Sequence, residues 1–281
     1  MPGRGPRGLN GPLVPARTSV RFRRYFARYV LRLFRRRFHA VRILKGDGER
    51  LASLDGLLQP VIALQSHASW WDPLIALVLW NRYLGSRDLL MPMDAEQLAR
   101  FGFFRRLGVF GIEPDDPASL EAMRRYVLDR FEDTDRRPTL GLTPQGRFTD
   151  PREPIRLRPG AAAIAAASPR PPRVVTVAVE YSFWQDQRPE ALVAVSICEP
   201  PDPSNAPPST ADWHRAMTAA MTDATERLRV GAIARSPEAF EPIDRRLGGD
   251  ARINPMMDAW LRFRGRSGGI DARRDAEEVS P

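Results

Sequence analysis

Two residues five positions apart, His67 and Asp72, carry the strongest chemical signal in the chain. A carboxylate that accepts one imidazole N–H leaves the other ring nitrogen free to take a proton near neutral pH. The stretch Ser66-His67-Ala68-Ser69-Trp70-Trp71-Asp72-Pro73 follows the apolar, strand-like run Val61-Ile62-Ala63-Leu64. It precedes Leu74-Ile75-Ala76-Leu77-Val78-Leu79, a helix pattern with proline at its first position. His67 is thus expected in a strand-to-helix loop at a strand's carboxyl end, where open α/β sheets place their sites. Asp72 also has a plain structural role open to it, as the N-cap of the helix. By itself a histidine and an aspartate at this spacing recur by chance, so other parts of the chain must support the pair. Ser66 and Ser69 flank the histidine, but no Gly-x-Ser-x-Gly elbow accompanies them, and neither is read as a nucleophile.

The elements that must position this loop follow from the alternation of apolar runs and helical patterns, which argues for an α/β domain. Strands are expected near 40–44, 60–65, 87–92, 108–112, 139–142, 173–180 and 191–197. Helices are expected near 73–83, 94–106, 117–132, 160–167 and 211–230. The second helix is marked by Asp94 with Gln97 three residues on, close to a capping box. The last carries Trp213, Met217, Ala220, Met221, Ala224 and Leu228 on one face, a core stripe. The fold class is therefore one α/β domain, a mixed central sheet flanked by helices and preceded by an amphipathic helix. Its expected parts are a disordered leader over 1–18, a basic amphipathic helix segment over 19–45, the main domain over 46–264 and a disordered tail over 265–281.

Charge is unevenly spread. Residues 1–45 hold twelve arginines, Lys45 and no acid, an arm of +13 in a chain of net charge +9, so the body is mildly acidic. At about 100° per residue, Phe22, Phe26, Tyr29, Val30 and Leu33 share one side of a helix, and Arg21, Arg24, Arg28, Arg32 and Arg35 the other. Arg23 and Arg37 fall near the apolar side. Such a helix suits the headgroup region of an anionic membrane, its apolar face buried and its arginines paired with lipid. The other reading is a helix packed on its own domain with a solvated arginine face. Nucleic acid is a poor partner, because the body is negative and no aromatic residues interleave with the charged face. No apolar stretch reaches the roughly 20 residues that a spanning helix needs. The single cysteine, Cys198, lies in an apolar run and excludes an internal disulfide. His39 and His214 lack neighbours at metal-ligand spacing, so no metal site is expected.

The block His67-Ala68-Ser69-Trp70-Trp71-Asp72-Pro73 resembles the first motif of the glycerolipid acyltransferase family typified by bacterial 1-acyl-glycerol-3-phosphate acyltransferase. Phe103-Phe104-Arg105-Arg106-Leu107-Gly108-Val109-Phe110-Gly111-Ile112 sits where the second block would sit. Thr143-Pro144-Gln145-Gly146-Arg147 is similar to the third, usually Pro-Glu-Gly-Thr-Arg, and Val174 to Tyr181 corresponds to the fourth, an apolar strand. Four blocks in order are far more specific than any one of them. The resemblance implies transfer of an acyl group from acyl-CoA or acyl-carrier protein to a lipid hydroxyl, with no further cofactor. His67 is then general base, oriented by Asp72, with Gln145, Gly146, Arg147, Arg105 and Arg106 binding substrate.

The chain departs from the pattern where Glu113-Pro114 replaces the arginine that commonly ends the second block, and where Gln145 replaces the usual glutamate. A neutral amide both donates and accepts, which a carboxylate does not. The acceptor thus stays open between a lysophospholipid such as lysophosphatidic acid and a glycosylated or hydroxylated lipid such as a glycosyl carotenoid. A non-catalytic membrane-binding protein on the same fold is the reading from another class. The expected location is the cytoplasmic face of the cell membrane, as a peripheral protein.

Overall fold

The computed structural model describes residues 13–184, 187–202, 207–248, 260 and 263–265. The apolar runs form one mixed sheet of eight strands among these residues: β1 (Ala40–Leu44), β2 (Val61–Gln65), β3 (Asp88–Asp94), β4 (Val109–Ile112), β5 (Pro138–Leu142), β6 (Arg173–Ser182), β7 (Glu190–Cys198) and β8 (Phe240–Pro242). Their order is β4-β3-β5-β2-β6-β7-β1-β8. The five strands from β4 to β6 are parallel, β7 runs against β6, β1 runs with β7, and β8 closes the edge antiparallel.

Helices cover both faces, because alternate residues of each strand point to opposite sides and both sides are apolar. Val175, Val177 and Val179 face a core shared with α1 (Val20–Arg37), α2 (Asp47–Ala52) and α3 (Asp72–Tyr83). Val174 and Ala178 face the cores built with α5 (Pro117–Glu132), α6 (Gly160–Ala167) and α7 (Thr210–Ala234). The Trp213, Met217 and Met221 stripe of α7 is buried. The helix expected over 94–106 is divided into α4 (Ala95–Arg100) and a 3₁₀ segment (Gly102–Leu107), because Phe101 leaves the helical region. Gly108 ends that segment at φ +107°, where a Cβ would stand 2.0 Å from the Leu89 carbonyl oxygen. Only glycine fits there.

Two features differ from the sequence expectation. Residues 13–18, placed in the leader, run with Ser19 as a strap along the sheet edge: Val14 is buried and exchanges both backbone hydrogen bonds with Gly111, and Ser19 donates to the Arg106 carbonyl. An edge strand offers unpaired backbone groups, and the strap takes those of β4. Residues 1–12 and 266–281 of the expected leader and tail lie outside the described residues. In α1 the apolar stripe turns inward, with Val30, Leu31 and Phe34 buried and Phe22, Phe26 and Leu33 packed against the same core. Tyr29, expected on that stripe, is exposed with Tyr25. Arg23 falls in the seam, its guanidinium 4.5 Å above the Trp80 ring. The helix therefore packs on its own domain and presents Arg21, Arg24, Arg28 and Arg32 outward. Among the described residues, no helix is long and apolar enough to cross a membrane.

Buried polar groups secure the sheet at two points. Asp47 is fully buried and accepts the Val195 N–H at 2.6 Å, while Arg227 donates to both Asp47 and the Val195 carbonyl, each at 2.7 Å. Together they satisfy β7 where β1 no longer pairs with it. Arg87, 0% exposed, spends all five guanidinium N–H groups on Thr139 Oγ1 and the carbonyls of Leu54, Leu57, Gln59 and Pro138. Burial lowers its pKa to about 10, so it remains a cation at neutral pH. Lysine has three donors and no fork, so Arg87→Lys leaves two buried acceptors unmet. A loss of about 2 kcal/mol is expected, read as a lower urea midpoint with an unchanged slope.

Candidate active site

The sheet topology brings three loops together. Strands β2, β5 and β6 are adjacent and parallel, so the segments that leave their carboxyl ends, near 66–71, 143–159 and 181–184, share one rim. The first is tied down on both sides. Ser66 donates its backbone N–H to the Val177 carbonyl, and its hydroxyl accepts the Val179 N–H at 2.9 Å. The Gln65 amide donates to the Asp72 carbonyl at 2.8 Å, which fixes where α3 starts. Trp71 lies against Phe34 and Phe38, with centroids 5.6 and 5.0 Å away, so α1 braces the loop from outside.

Within this loop His67 Nδ1 and Asp72 Oδ2 are 3.0 Å apart. Asp72 is 0% exposed, and the same oxygen also accepts the Ser69 N–H at 2.7 Å. The expected N-cap role does not form: Asp72 is the first residue of α3, and no side-chain cap bond is made because its carboxylate turns back into the loop. A carboxylate can only accept, so Nδ1 carries the hydrogen and Nε2 is left as the basic nitrogen. The arrangement can take a proton from a hydroxyl and hold the resulting charge.

The second loop closes over the histidine. Gln145 Oε1 accepts the backbone N–H of His67 at 2.8 Å, and Thr149 donates to the His67 carbonyl at 2.7 Å. Gln145 thus holds the His67 loop through its oxygen, so that only its N–H₂ stays open to the substrate role expected of it. Its amide N–H₂ keeps the donor capacity that a glutamate would lack. Gly146 takes φ +69°, and the Arg158 guanidinium fills the space beside it, with Nε 2.6 Å from where a Cβ would stand. Arg147 is 73% exposed on its side chain and meets Glu153 only at 3.9 Å. Arg152 is engaged in two hydrogen bonds to Asp150, whose carboxyl they hold well below its usual range.

Arg105 and Arg106, expected to bind substrate, are not brought to this rim. They precede β4, at the amino ends of the parallel strands, whereas His67 follows the carboxyl end of β2. Arg105 Nε donates to the Pro15 carbonyl at 2.9 Å, and the Arg106 guanidinium lies 5.5 Å from the Phe22 ring centre. Both serve the strap and α1.

Three features were missed from sequence. The Tyr181 hydroxyl reaches Asp72 Oδ1 at 2.5 Å from the carboxyl end of β6. Phe148, exposed, lies over His67 with ring centroids 4.3 Å apart. Beside Asp72 a narrow apolar cavity opens between α3 and the sheet, walled by Ala76, Leu79, Trp80, Leu89 and Met91. It runs from Asp72 and Thr143 to Thr139, four residues of strand or about 13 Å. Small residues make the room: at Gly141 a Cβ would stand 3.1 Å from Met91 Cγ. No signal in the sequence announces a cavity, since its wall residues are ordinary core types. Among the described residues, no cluster of three or more His, Cys, Asp or Glu could hold a metal ion.

No protein-family model and no curated protein matches the sequence. Among solved structures, the fold is similar to that of the 1-acyl-sn-glycerophosphate (LPA) acyltransferase PlsC from Thermotoga maritima. The match has 14% identity and a TM-score of 0.46, and covers 73% of this chain and 81% of that one.

Proposed function

We propose that the protein is a peripheral membrane O-acyltransferase that moves a fatty acyl group from acyl-CoA or acyl-carrier protein to the hydroxyl of a lysophospholipid. The observation that carries this reading is the buried Asp72, which holds His67 at 3.0 Å and itself lines one end of a narrow apolar cavity. The four sequence blocks in order support the same chemistry.

In the reaction, His67 Nε2 accepts the acceptor hydroxyl's proton as that oxygen attacks the thioester carbon. Asp72 holds the tautomer and stabilises the imidazolium. The C–S bond then breaks, the new ester C–O bond remains, and the imidazolium returns its proton to the departing thiolate. No acyl-enzyme is needed. The cavity beside Asp72 would take a few methylenes of the acyl chain, where each buried CH₂ contributes about 0.8 kcal/mol. Arg147, exposed and only loosely paired with Glu153, would meet the acceptor's phosphate.

Membrane contact is made by the outward face of α1 rather than its apolar stripe, which the domain itself covers. Arg21, Arg24, Arg28 and Arg32 would pair with anionic headgroups, and Tyr25 and Tyr29 would lie at the interface on the cytoplasmic side. Exposed Trp70 and Phe148 rim the site where a lipid would enter.

Purified protein incubated with isotope-labelled acyl-CoA and a panel of lysophospholipid and glycolipid acceptors should yield the labelled diacyl phospholipid by mass spectrometry. Label on a glycolipid alone would move the acceptor to the glycosylated or hydroxylated class. Label on no acceptor, with acyl-carrier protein tried as donor as well, would remove the transferase reading.

A further inference from the structure

We infer that Tyr181 is a positioning residue of the acid–base unit: its phenol fixes the Asp72 carboxylate from the side opposite His67 and so sets how strongly that carboxylate draws the imidazole proton. The consequence for rate rests on the acyl-transfer reading, whereas the hydrogen-bond relay does not.

The geometry is specific. Asp72 is wholly buried and has three donors: His67 Nδ1 and the Ser69 N–H on Oδ2, and the Tyr181 hydroxyl on Oδ1. Without the phenol, Oδ1 would have no donor, a costly state for a buried charge. The ring is held in place by Phe38, with centroids 5.9 Å apart, at the junction of α1 and β1. Burial and the adjoining Asp72 charge push the phenol far above its ordinary pKa, so it stays protonated and is always the donor. A tyrosine there is a permanent, neutral hydrogen-bond donor, while His67 on the other oxygen is the group that changes charge.

Other charges around the unit are already paired or turned away. From the 143–159 loop, Arg147 faces Glu153 and Arg152 is engaged with Asp150. Glu180, next to Tyr181 on β6, lies on the other face of the sheet by the strand's alternation, where burial raises its carboxyl pKa and the Arg152 charge partly offsets this. On β7, Glu190 accepts from Arg42 at 2.5 Å with His39 at 3.9 Å. Phe34 of α1 and Phe38, its C-cap, face the unit, while Arg21, Arg24, Arg28 and Arg32 of the helix face outward. Tyr181 and Ser69 are thus the neutral donors that temper the Asp72 charge.

Deleting the phenol oxygen should make the carboxylate a stronger partner for the imidazolium, which then gives up its proton at higher pH. The chain has three histidines, so ¹⁵N-histidine spectra are simple, and loss of one signal set in His67→Ala assigns it. In Tyr181→Phe, which keeps the ring, the His67 titration midpoint is expected to rise by roughly half to one pH unit. The acid limb of kcat/KM should move the same way, with kcat about tenfold lower and KM within about twofold. Fluorotyrosine placed at position 181, a more acidic donor, should move the midpoint down, and it decides the matter if the phenylalanine variant does not fold. An unchanged midpoint, or shifts in the reverse sense, overturns the inference. Shifts of the expected sign in a protein that acylates nothing would leave the relay standing and remove the transferase reading instead.

Discussion

His67→Ala is expected to cut acyl transfer by about 10²- to 10⁴-fold, the usual worth of a positioned general base, and to leave the fold intact. The structural half of that expectation follows from what surrounds the side chain. Removing the imidazole takes one donor from Asp72, but Ser69 N–H on Oδ2 and Tyr181 on Oδ1 remain, so the buried carboxylate is not stranded. The loop's backbone is held by Gln145 and Thr149 through the peptide groups of residue 67, which alanine retains. The ring itself is covered by exposed Phe148 rather than built into the core. A thermal midpoint near that of the wild type, with single-turnover transfer from labelled acyl-CoA reduced at least a hundredfold, is the anticipated pair of results. A variant that keeps more than about a tenth of the transfer rate would mean that another group takes the proton.

Asp72→Asn probes a different part of the same unit. The amide presents one acceptor oxygen where the carboxylate presents two, against donors on both sides. Its N–H₂ would face a donor on one side or the other, so the loop itself is disturbed. The base is therefore better tested at His67, and its orientation better tested at Tyr181.

How far the sequence carried these conclusions depends on the range of the interaction concerned. The loop of His67 and Asp72 is local, six residues between an apolar strand and an apolar helix, and its placement followed from the alternation of apolar runs. Seven of the strands followed too, because central strands buried on both faces read as continuous Val, Leu and Ala segments. The three-residue β8 and six-residue α2 did not, being too short to show a period. Sheet order was not legible, since it is decided by pairing between segments about 150 residues apart, such as Ala40 with Glu190. The same limit hid Tyr181, 109 residues beyond Asp72 in the chain. It also left open where Arg105 and Arg106 sit: a block pattern gives their order along the chain, whereas strand direction decides which end of the sheet they occupy. Gln145 shows a finer limit. Sequence identified the residue and its neutral charge, but only the fold reveals that its oxygen is taken by the His67 backbone.

The arginine face of α1 carries the second large expectation. Periodicity separated arginines from apolar residues correctly and assigned the apolar side to lipid, but the domain has its own use for that side: Phe26, Val30 and Phe34 pack against α3 and the aromatic loop at Trp71. What remains outside is charge with two tyrosines, so docking would rest on electrostatics and not on buried area. Each basic residue near an anionic surface contributes about 1 kcal/mol, so replacing Arg24, Arg28 and Arg32 by Gln should weaken binding to phosphatidylserine-containing vesicles by roughly 100-fold. These three side chains are exposed, and glutamine is a good helix former, so stability should change little. Binding of the wild-type protein should fall steeply between low and physiological salt, as screening shortens the reach of the arginines, and vesicles of neutral lipid should retain neither protein. Flotation of the triple variant equal to wild type would place the membrane contact elsewhere. Soluble short-chain acceptors separate the two proposed functions, because the variant should acylate them at the wild-type rate while losing activity on vesicle-borne lipid.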